Sequence, residues 1–382
     1  MTAGSELNFV LAAGGTGGHL FPAEALAREL VRQGGRVHLA TDRRADAFAE
    51  KVPGVTVCQV RAGRFGGGPL HLAYGVAEMA LGIVQARRLL RRLAPDVVVG
   101  FGGYASVPTM LAATQLGLPT VIHEQNAVLG RANRLLASRV ARIATGFAET
   151  TGLRPADRSP ADRSRAVHTG NPVRPAILAA AATSYVPPEP GRAIELLILG
   201  GSQGARIFAD IVPPALADLP AELRSVLRVS QQARSEDRER VIADLKAAAI
   251  SAEIESFFND VPARLARAHL VICRSGASTT AELAAVGRPA LLVPYPHAMD
   301  DHQAANARAF AEAGAGWVMP QSALTPPLLA ERLSELLRDG AKLSHAAAQA
   351  RRFGRDDAAQ RLAALAIGLA PLVGGAKKRR AA

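Results

Sequence analysis

Leu7-Asn8-Phe9-Val10-Leu11-Ala12-Ala13-Gly14-Gly15-Thr16-Gly17-Gly18-His19 is a short apolar run that ends in a cluster of glycines. A strand buried on both faces reads as a continuous apolar run. A glycine-rich turn after it lets backbone N–H groups approach an anion at the positive end of the next helix. The pattern returns at Leu196-Leu197-Ile198-Leu199-Gly200-Gly201-Ser202-Gln203-Gly204. A helix-like stretch follows each turn, Pro22 to Gln33 and Ala205 to Leu216. Two further pairs keep the order. Val97-Val98-Val99 runs into Gly100-Phe101-Gly102-Gly103, and Leu270-Val271-Ile272-Cys273 runs into Arg274-Ser275-Gly276-Ala277. Gly117-Leu118-Pro119-Thr120-Val121-Ile122 is matched by Gly287-Arg288-Pro289-Ala290-Leu291-Leu292. The glycine pairs 14 and 200, 102 and 276, and 117 and 287 are 186, 174 and 170 residues apart, so the repeat is loose in spacing and strict in order. Short apolar strands alternating with helical stretches predict parallel βαβ units. The fold class is therefore α/β, with two doubly wound, Rossmann-like domains facing across a cleft.

The breaks in periodicity divide the chain. Asn171-Pro172-Val173-Arg174-Pro175 and Val186-Pro187-Pro188-Glu189-Pro190-Gly191 interrupt both the strand and the helix pattern. This predicts an N-terminal domain over 1–174, a linker over 175–192, a C-terminal domain over 193–370 and a tail over 371–382. The stretch Gly152 to Arg165, dense in Arg, Asp, Ser and Pro, reads as an exposed loop. The final helices are expected at about Pro327 to Arg338 and Leu343 to Leu369. Lys377-Lys378-Arg379-Arg380 then reads as a solvated end.

Composition excludes several classes. Of the 382 residues 49% are hydrophobic and 20% charged, enough for two buried cores and unlike a disordered chain. Cys58 and Cys273 are far apart in apolar runs, so they read as small buried hydrophobes in a reducing compartment. Met1 to Glu6 has no basic segment leading into an apolar one. No run reaches the roughly 18 apolar residues of a spanning helix, and Leu72 to Ala86 is interrupted by Glu78 and Gln85. A soluble or peripheral protein is expected. The net charge of +12 implies an anionic partner, unless the arginines simply coat the surface. With 4% aromatic residues and no RNA- or DNA-binding motif, no nucleic acid is expected; anionic lipid or a phosphorylated substrate fits instead.

One glycine turn alone does not choose a chemistry. Dinucleotide dehydrogenases use the same device; Gly14 to His19 is a poor GxGxxG match, although Asp42 supplies an acid downstream. The full set is more specific: Gly14-Gly15-Thr16-Gly17-Gly18-His19, Phe101-Gly102-Gly103-Tyr104, His123-Glu124-Gln125-Asn126, Gly170-Asn171-Pro172-Val173-Arg174, Gly200-Gly201-Ser202-Gln203-Gly204 and Cys273-Arg274-Ser275-Gly276-Ala277. In this order, from about Leu7 to about Leu337, the chain resembles the MurG family, the peptidoglycan UDP-N-acetylglucosamine transferases that convert lipid I to lipid II. Related two-domain glycolipid synthases share some of the glycine turns; the His-Glu-Gln-Asn and Asn-Pro-Val-Arg pair narrows the resemblance.

The resemblance implies a GT-B architecture, with UDP-N-acetylglucosamine mainly on the C-terminal domain and the lipid-linked acceptor on the N-terminal one. It implies that Ser202 and its turn contact the diphosphate, although Ser202 also suits a plain helix cap. Phe258, where the family often has Ile, corresponds to a backbone contact with uracil, and Arg174 would reach the uridine. Ala277, Ser278, Thr279, Thr280, Ala281 and Glu282 would wrap sugar and ribose. Gln303 and Asn306 would bind sugar hydroxyls or phosphate; where the family commonly has a second glutamine this chain has His302. Thr16, Gly17, Gly18 and Asn126 complete the donor contacts. Gly15, His19, Gly103 and Tyr104 are implied for the acceptor, with a packed loop tyrosine as the plain alternative for Tyr104. For Glu282, Thr279-Thr280-Ala281-Glu282 also reads as a capping box. No cofactor or metal is expected: Asp300 and Asp301 form no Asp-x-Asp motif and read as acids opening a helix.

The implied reaction inverts the anomeric carbon. It needs N–H donors for the charge growing on the UDP leaving group and a base for the acceptor hydroxyl. His19 is the first candidate for the base, with phosphate binding or loop orientation as its alternative role. Glu124 is the second, with a structural partnership as the alternative. Leu72, Val76, Met79 and Ile83 recur on one helix face ahead of Arg87, Arg88, Arg91 and Arg92. That face either packs on the sheet or docks on an anionic membrane at its cytoplasmic side. Competing readings are a UDP-sugar 2-epimerase, a sugar-nucleotide-binding subunit without turnover, and the dehydrogenase.

Overall fold

The computed structural model describes residues 6–14, 17–42, 52–63, 68–157, 164–201 and 204–370. They form two compact units: one takes the chain up to Arg174 and again from Asp357, and the other is Pro175–Asp356.

The first unit is built on seven strands, β1 (Asn8–Ala12), β2 (Arg36–Thr41), β3 (Val55–Gln59), β4 (Val97–Gly100), β5 (Thr120–Glu124), β6 (Arg142–Thr145) and β7 (Ala166–His168). They pair in parallel in the order β3-β2-β1-β4-β5-β6-β7. Side chains alternate across the pleat, so β1 serves two cores. Phe9 and Leu11 pack with Leu26, Leu30 and Val99 on one face; Val10 and Ala12 pack with Leu90 and Met110 on the other. The second unit has β8 (Ile194–Leu199), β9 (Leu227–Gln232), β10 (Ser251–Glu255), β11 (Leu270–Cys273), β12 (Ala290–Leu292) and β13 (Gly316–Val318). Their order is β10-β9-β8-β11-β12-β13, again all parallel.

The three repeated pairs in the sequence are equivalent strands of the two sheets. β1 and β8 start each unit, β4 and β11 lie beside them, and β5 and β12 come next. In each sheet the order reverses between the first strand and that neighbour. Open parallel sheets bind ligands outside the carboxyl ends of the strands at this reversal. The glycine turns of the sequence stand at both reversals.

Several boundaries differ from the sequence reading. The first helix runs Gly17–Arg32, so Gly17 and Gly18 wind into its first turn instead of preceding Pro22 as loop. Residues 175–192 are not a bare linker. Pro175–Ala180 is a helix that packs on the helices Val261–Arg267 and Ala277–Val286. Beyond it, Arg288, fully buried, donates to the Thr183 carbonyl, and the Tyr185 hydroxyl donates to the His269 carbonyl. The single helix expected over Leu343 to Leu369 is two, Gly340–Phe353 and Ala358–Ile367, separated at Gly354. The second of these belongs to the first unit, because Leu362, Ala363 and Ala366 fill the core beneath Leu26 and Leu30. A boundary at 370 therefore does not describe the C-terminal unit. The basic tail over 371–382 lies outside the described residues.

Candidate active site

In the first unit, His19 is the third residue of the Gly17–Arg32 helix, whose N-terminal N–H groups have no partner within the helix. Beside it the chain after β4 turns through Gly102 and Gly103, both at positive φ. At Gly103 (φ +70°) a side chain would bring Cβ to 3.1 Å from His19 Cδ2 and 3.3 Å from Nε2, so only glycine leaves the imidazole its place. Tyr104 follows in a short 3-10 turn and is exposed.

β5 carries the polar residues inward. His123 and Gln125 alternate to one side and are fully buried. His123 Nε2 lies 3.0 Å from the Gly170 carbonyl, and Gln125 Nε2 lies 3.0 Å from both His123 Nδ1 and the His123 carbonyl. The other end of the same amide, Oε1, is 3.1 Å from His19 Nδ1. Burial, reinforced by nearby His168 and His19 and opposed by the Gly170 hydrogen bond, pushes the His123 pKa down to about 4, so its ring is neutral at pH 7.

Glu124 points the opposite way and is 1% exposed. Its Oε1 accepts from the Asn126 backbone N–H and Nδ2 at 3.0 and 3.1 Å, and its Oε2 accepts from the Gly130 N–H and Asn133 Nδ2 at 2.9 and 2.8 Å. Four donors occupy both oxygens. The geometry is that of a carboxylate organising the 125–133 turn, not of a base presented to substrate. Asn126 is half-buried, with its amide nitrogen turned towards Glu124. Arg174 stacks 4.6 Å over the Phe21 ring of the first helix. Gly15 and Thr16 lie outside the described residues.

In the second unit the turn after β8 meets the N-terminus of the helix Arg206–Ala217. At Gly200 a Cβ would stand 2.3 Å from the Ala205 nitrogen, so the tight turn requires glycine. The Gly200 N–H is tied to Gln232 Oε1 at 3.1 Å. Ser202, the expected diphosphate contact, lies outside the described residues. Phe258 buries its ring under the Arg264 guanidinium at 3.9 Å, an arrangement in which only its backbone can meet a ligand.

The helix Ala277–Val286 starts directly after Gly276, which is its N-cap residue. The capping-box reading of Thr279 and Glu282 is therefore overturned: both lie inside the helix. The Thr280 hydroxyl donates back to the Ala277 carbonyl at 3.0 Å, whereas Ser278 carries a buried Oγ with no hydrogen-bond partner. Ala277 is buried; Ser278, Thr279, Ala281 and Glu282 are half-buried.

Asn306 does not present itself to a sugar. It is 0% exposed and donates to the Ser275 carbonyl at 3.0 Å. Gln303 is half-buried, its Oε1 accepting from the Tyr295 N–H at 3.0 Å while its carbonyl accepts from Ser275 Oγ at 2.8 Å. Asp300 and Asp301 are both left-handed, and Asp301 stands at the N-cap position of the helix His302–Glu312 without a side-chain capping hydrogen bond.

Sequence reasoning missed three residues that order these side chains, each within its own unit. Gln125 joins His123 to His19, and Asn133 fastens Glu124. Arg274, 9% exposed, donates to the Val293 and Pro294 carbonyls and to Gln321, between the faces of Phe208 and Tyr295. The signal for Gln125 was its i, i+2 relation to His123, which puts both side chains on one side of an extended chain.

Residues 9–145 match the model of the glycosyltransferase family 28 N-terminal domain, and residues 195–362 match that of the glycosyltransferase family 28 C-terminal domain. The chain is 56% identical to a UDP-N-acetylglucosamine–N-acetylmuramyl-(pentapeptide) pyrophosphoryl-undecaprenol N-acetylglucosamine transferase of Rhodospirillum rubrum, across 94% of this chain and 92% of that one. A protein of the same name from Rhodospirillum centenum is 54% identical, across 96% and 95%. Among solved structures, Acinetobacter baumannii MurG superposes with a TM-score of 0.75 at 31% identity, covering 95% of this chain and 99% of that one.

Proposed function

Because the chain belongs to glycosyltransferase family 28, we propose that it transfers N-acetylglucosamine from UDP-N-acetylglucosamine to undecaprenyl-diphospho-N-acetylmuramyl-pentapeptide. The observation that carries this reading is the 56% identity, sustained through both domains, to an enzyme named for that reaction. The glycine-rich sequences that follow β1 and β8, each leading into a helix N-terminus, agree with it, since that combination suits a diphosphate.

The second unit takes the donor. The turn Gly200–Gly204 and the following helix N-terminus face the diphosphate, preorganised for the charge that grows on UDP as the glycosidic bond breaks. Phe258 offers uracil its backbone, Glu282 the ribose a carboxylate, and Gln303 the sugar a side-chain amide nitrogen, its Oε1 being engaged by Tyr295. The first unit takes the acceptor around Gly103, Tyr104 and His19. His19 removes the proton of the attacking hydroxyl, whose oxygen bonds to the anomeric carbon as the bond to UDP breaks, so that UDP departs and the sugar is transferred with inverted configuration. Glu124 serves by shaping the turn that carries Asn126.

An acceptor anchored in lipid requires the enzyme to work at the membrane surface, on the cytoplasmic side. The helix Pro69–Leu93 supports this. Leu72, Val76, Ala80 and Val84 recur every fourth residue along an exposed face, Leu81 and Tyr74 flank them, and Arg88 and Arg91 continue the face as exposed cations. Met79 and Ile83, expected on the same face, are half-buried, and Ile83 packs on the core. Apolar side chains beside cations are how an interfacial helix enters an anionic leaflet.

Purified protein is incubated with radiolabelled UDP-N-acetylglucosamine and the lipid-linked acceptor. Label in the lipid fraction, dependent on acceptor, is the expected result. UDP release without acceptor would instead identify a 2-epimerase, and NAD(H) binding without UDP binding a dehydrogenase.

A further inference from the structure

We infer that Gln125 is a positioning residue that fixes the His19 imidazole as its Nδ1–H tautomer, leaving the Nε2 lone pair to take the acceptor's proton. The inference rests on the reading of His19 as the base, and deepens it.

Donors and acceptors are assigned from atoms that have no choice. The Gly170 carbonyl can only accept, so the His123 nitrogen 3.0 Å away, Nε2, carries the proton. In a neutral ring Nδ1 is then an acceptor. The His123 carbonyl also only accepts. Both acceptors face the same atom of Gln125 at 3.0 Å, which must be the amide nitrogen, one hydrogen to each. The amide oxygen is thereby turned to His19, 3.1 Å from Nδ1. An amide oxygen can only accept, so Nδ1 carries a hydrogen. The one lone pair of neutral His19 is on Nε2, the atom beside the side-chain-free Gly103. The low pKa of His123 keeps it an acceptor throughout the neutral range.

This arrangement resolves a weakness of amides as orienting groups. A carboxylate can only accept, whereas an amide can present either end. In a Ser-His-Asp triad, replacing the carboxylate with an amide imposes the wrong tautomer and costs about 10⁴-fold in kcat. Here His123 supplies two acceptors that hold the NH₂ end of Gln125 away from His19. The amide then sets the tautomer without adding the negative charge that would hold the proton on His19. Other titratable or charged groups on the surrounding elements are Asp42 after β2, Tyr104 after β4, Glu124 on β5, His168 on β7 and Arg174. Glu124 is engaged with Asn126 and Asn133, and Arg174 with the Phe21 face.

The test is nitrogen NMR of the full-length protein with its 9 histidines selectively labelled, His19 being assigned by its loss in His19→Gln. At pH 8 wild-type His19 should show a protonated Nδ1 and an unprotonated Nε2. In Gln125→Leu that preference should vanish, and kcat should fall about 10–100-fold at little changed UDP-N-acetylglucosamine affinity. In Gln125→Glu the proton should return to Nδ1, but the added negative charge should stabilise the imidazolium. The ascending limb of the kcat/KM profile should then move to higher pH, with activity recovering towards pH 9. A proton on Nε2 in the wild type overturns the inference. So does a tautomer and pH profile unmoved by Gln125→Leu. The base reading fails separately, through wild-type-like kcat in His19→Ala, while the tautomer result stands on the spectrum.

Discussion

Asn133 Nδ2 lies 2.8 Å from Glu124 Oε2, and this contact between the helix Arg131–Leu136 and the end of β5 closes the cage around a buried carboxylate. All four groups aimed at Glu124 are N–H donors. In Glu124→Gln one amide hydrogen-bearing end must face donors, leaving buried groups unpaired. Stability should fall by about 1–3 kcal/mol in urea unfolding, with the acid limb of the kcat/KM profile where it was. Loss of that limb would return Glu124 to the role of base.

His19→Ala should lower kcat roughly 10²–10⁴-fold, the usual worth of general base catalysis, while UDP-N-acetylglucosamine binds nearly as before. The same assays run in EDTA should keep their activity, as the proposal that backbone N–H donors after β8 stabilise the leaving group requires. Complete loss in EDTA, restored by magnesium, would contradict that account of the leaving group.

Glu282 has no capping duty, since Gly276 is the N-cap of its helix. Glu282→Gln should therefore weaken UDP binding, measured by calorimetry, and barely move the melting temperature. Unchanged affinity would remove Glu282 from the ribose contacts.

The exposed face of the Pro69–Leu93 helix should bind anionic vesicles in sedimentation and release them as salt is raised. Arg88→Glu with Arg91→Glu should weaken binding through charge, and Val76→Asp with Val84→Asp through the loss of apolar insertion. Transfer to a short-chain, water-soluble acceptor should survive all four changes. A protein that ignores anionic vesicles at low salt would defeat the docking proposal.

Acid should destabilise the fold through His123. Its folded pKa of about 4 lies below the ordinary 6.5, so between those values the unfolded chain binds a proton that the native state refuses. Stability present above pH 6.5 is lost as pH falls towards 4, by about 3 kcal/mol in total from this group. His38 and His269, also held down by burial, add in the same direction. Thermal unfolding followed from pH 7 to 4.5 should show this fall, with a shallower slope in His123→Gln.

Much of the fold was legible because its signals are local. An apolar run followed by glycines specifies a buried strand and a tight turn from adjacent residues alone, and three such pairs in one order predict two similar sheets. Boundaries set by distant packing were not legible. Nothing near Leu362 says that its helix covers the first unit's core and not the second's. The capping box failed for a related reason: the helix begins at Ala277, and Thr279 was read as its start.

For the site, the sequence by itself determined which residue types stand at the ends of β1, β4, β5, β8 and β11, because turn chemistry and strand periodicity are properties of neighbours. Tertiary structure alone decided what those residues do. Glu124 and Gln125 are adjacent in the chain, yet the pleat sends one into a cage of donors and the other to His19, 106 positions away. Asn306 is sealed against Ser275 in the same way, 31 positions away. A side chain's role follows from its partners, and these partners are brought together by sheet order and helix packing, which no local pattern encodes.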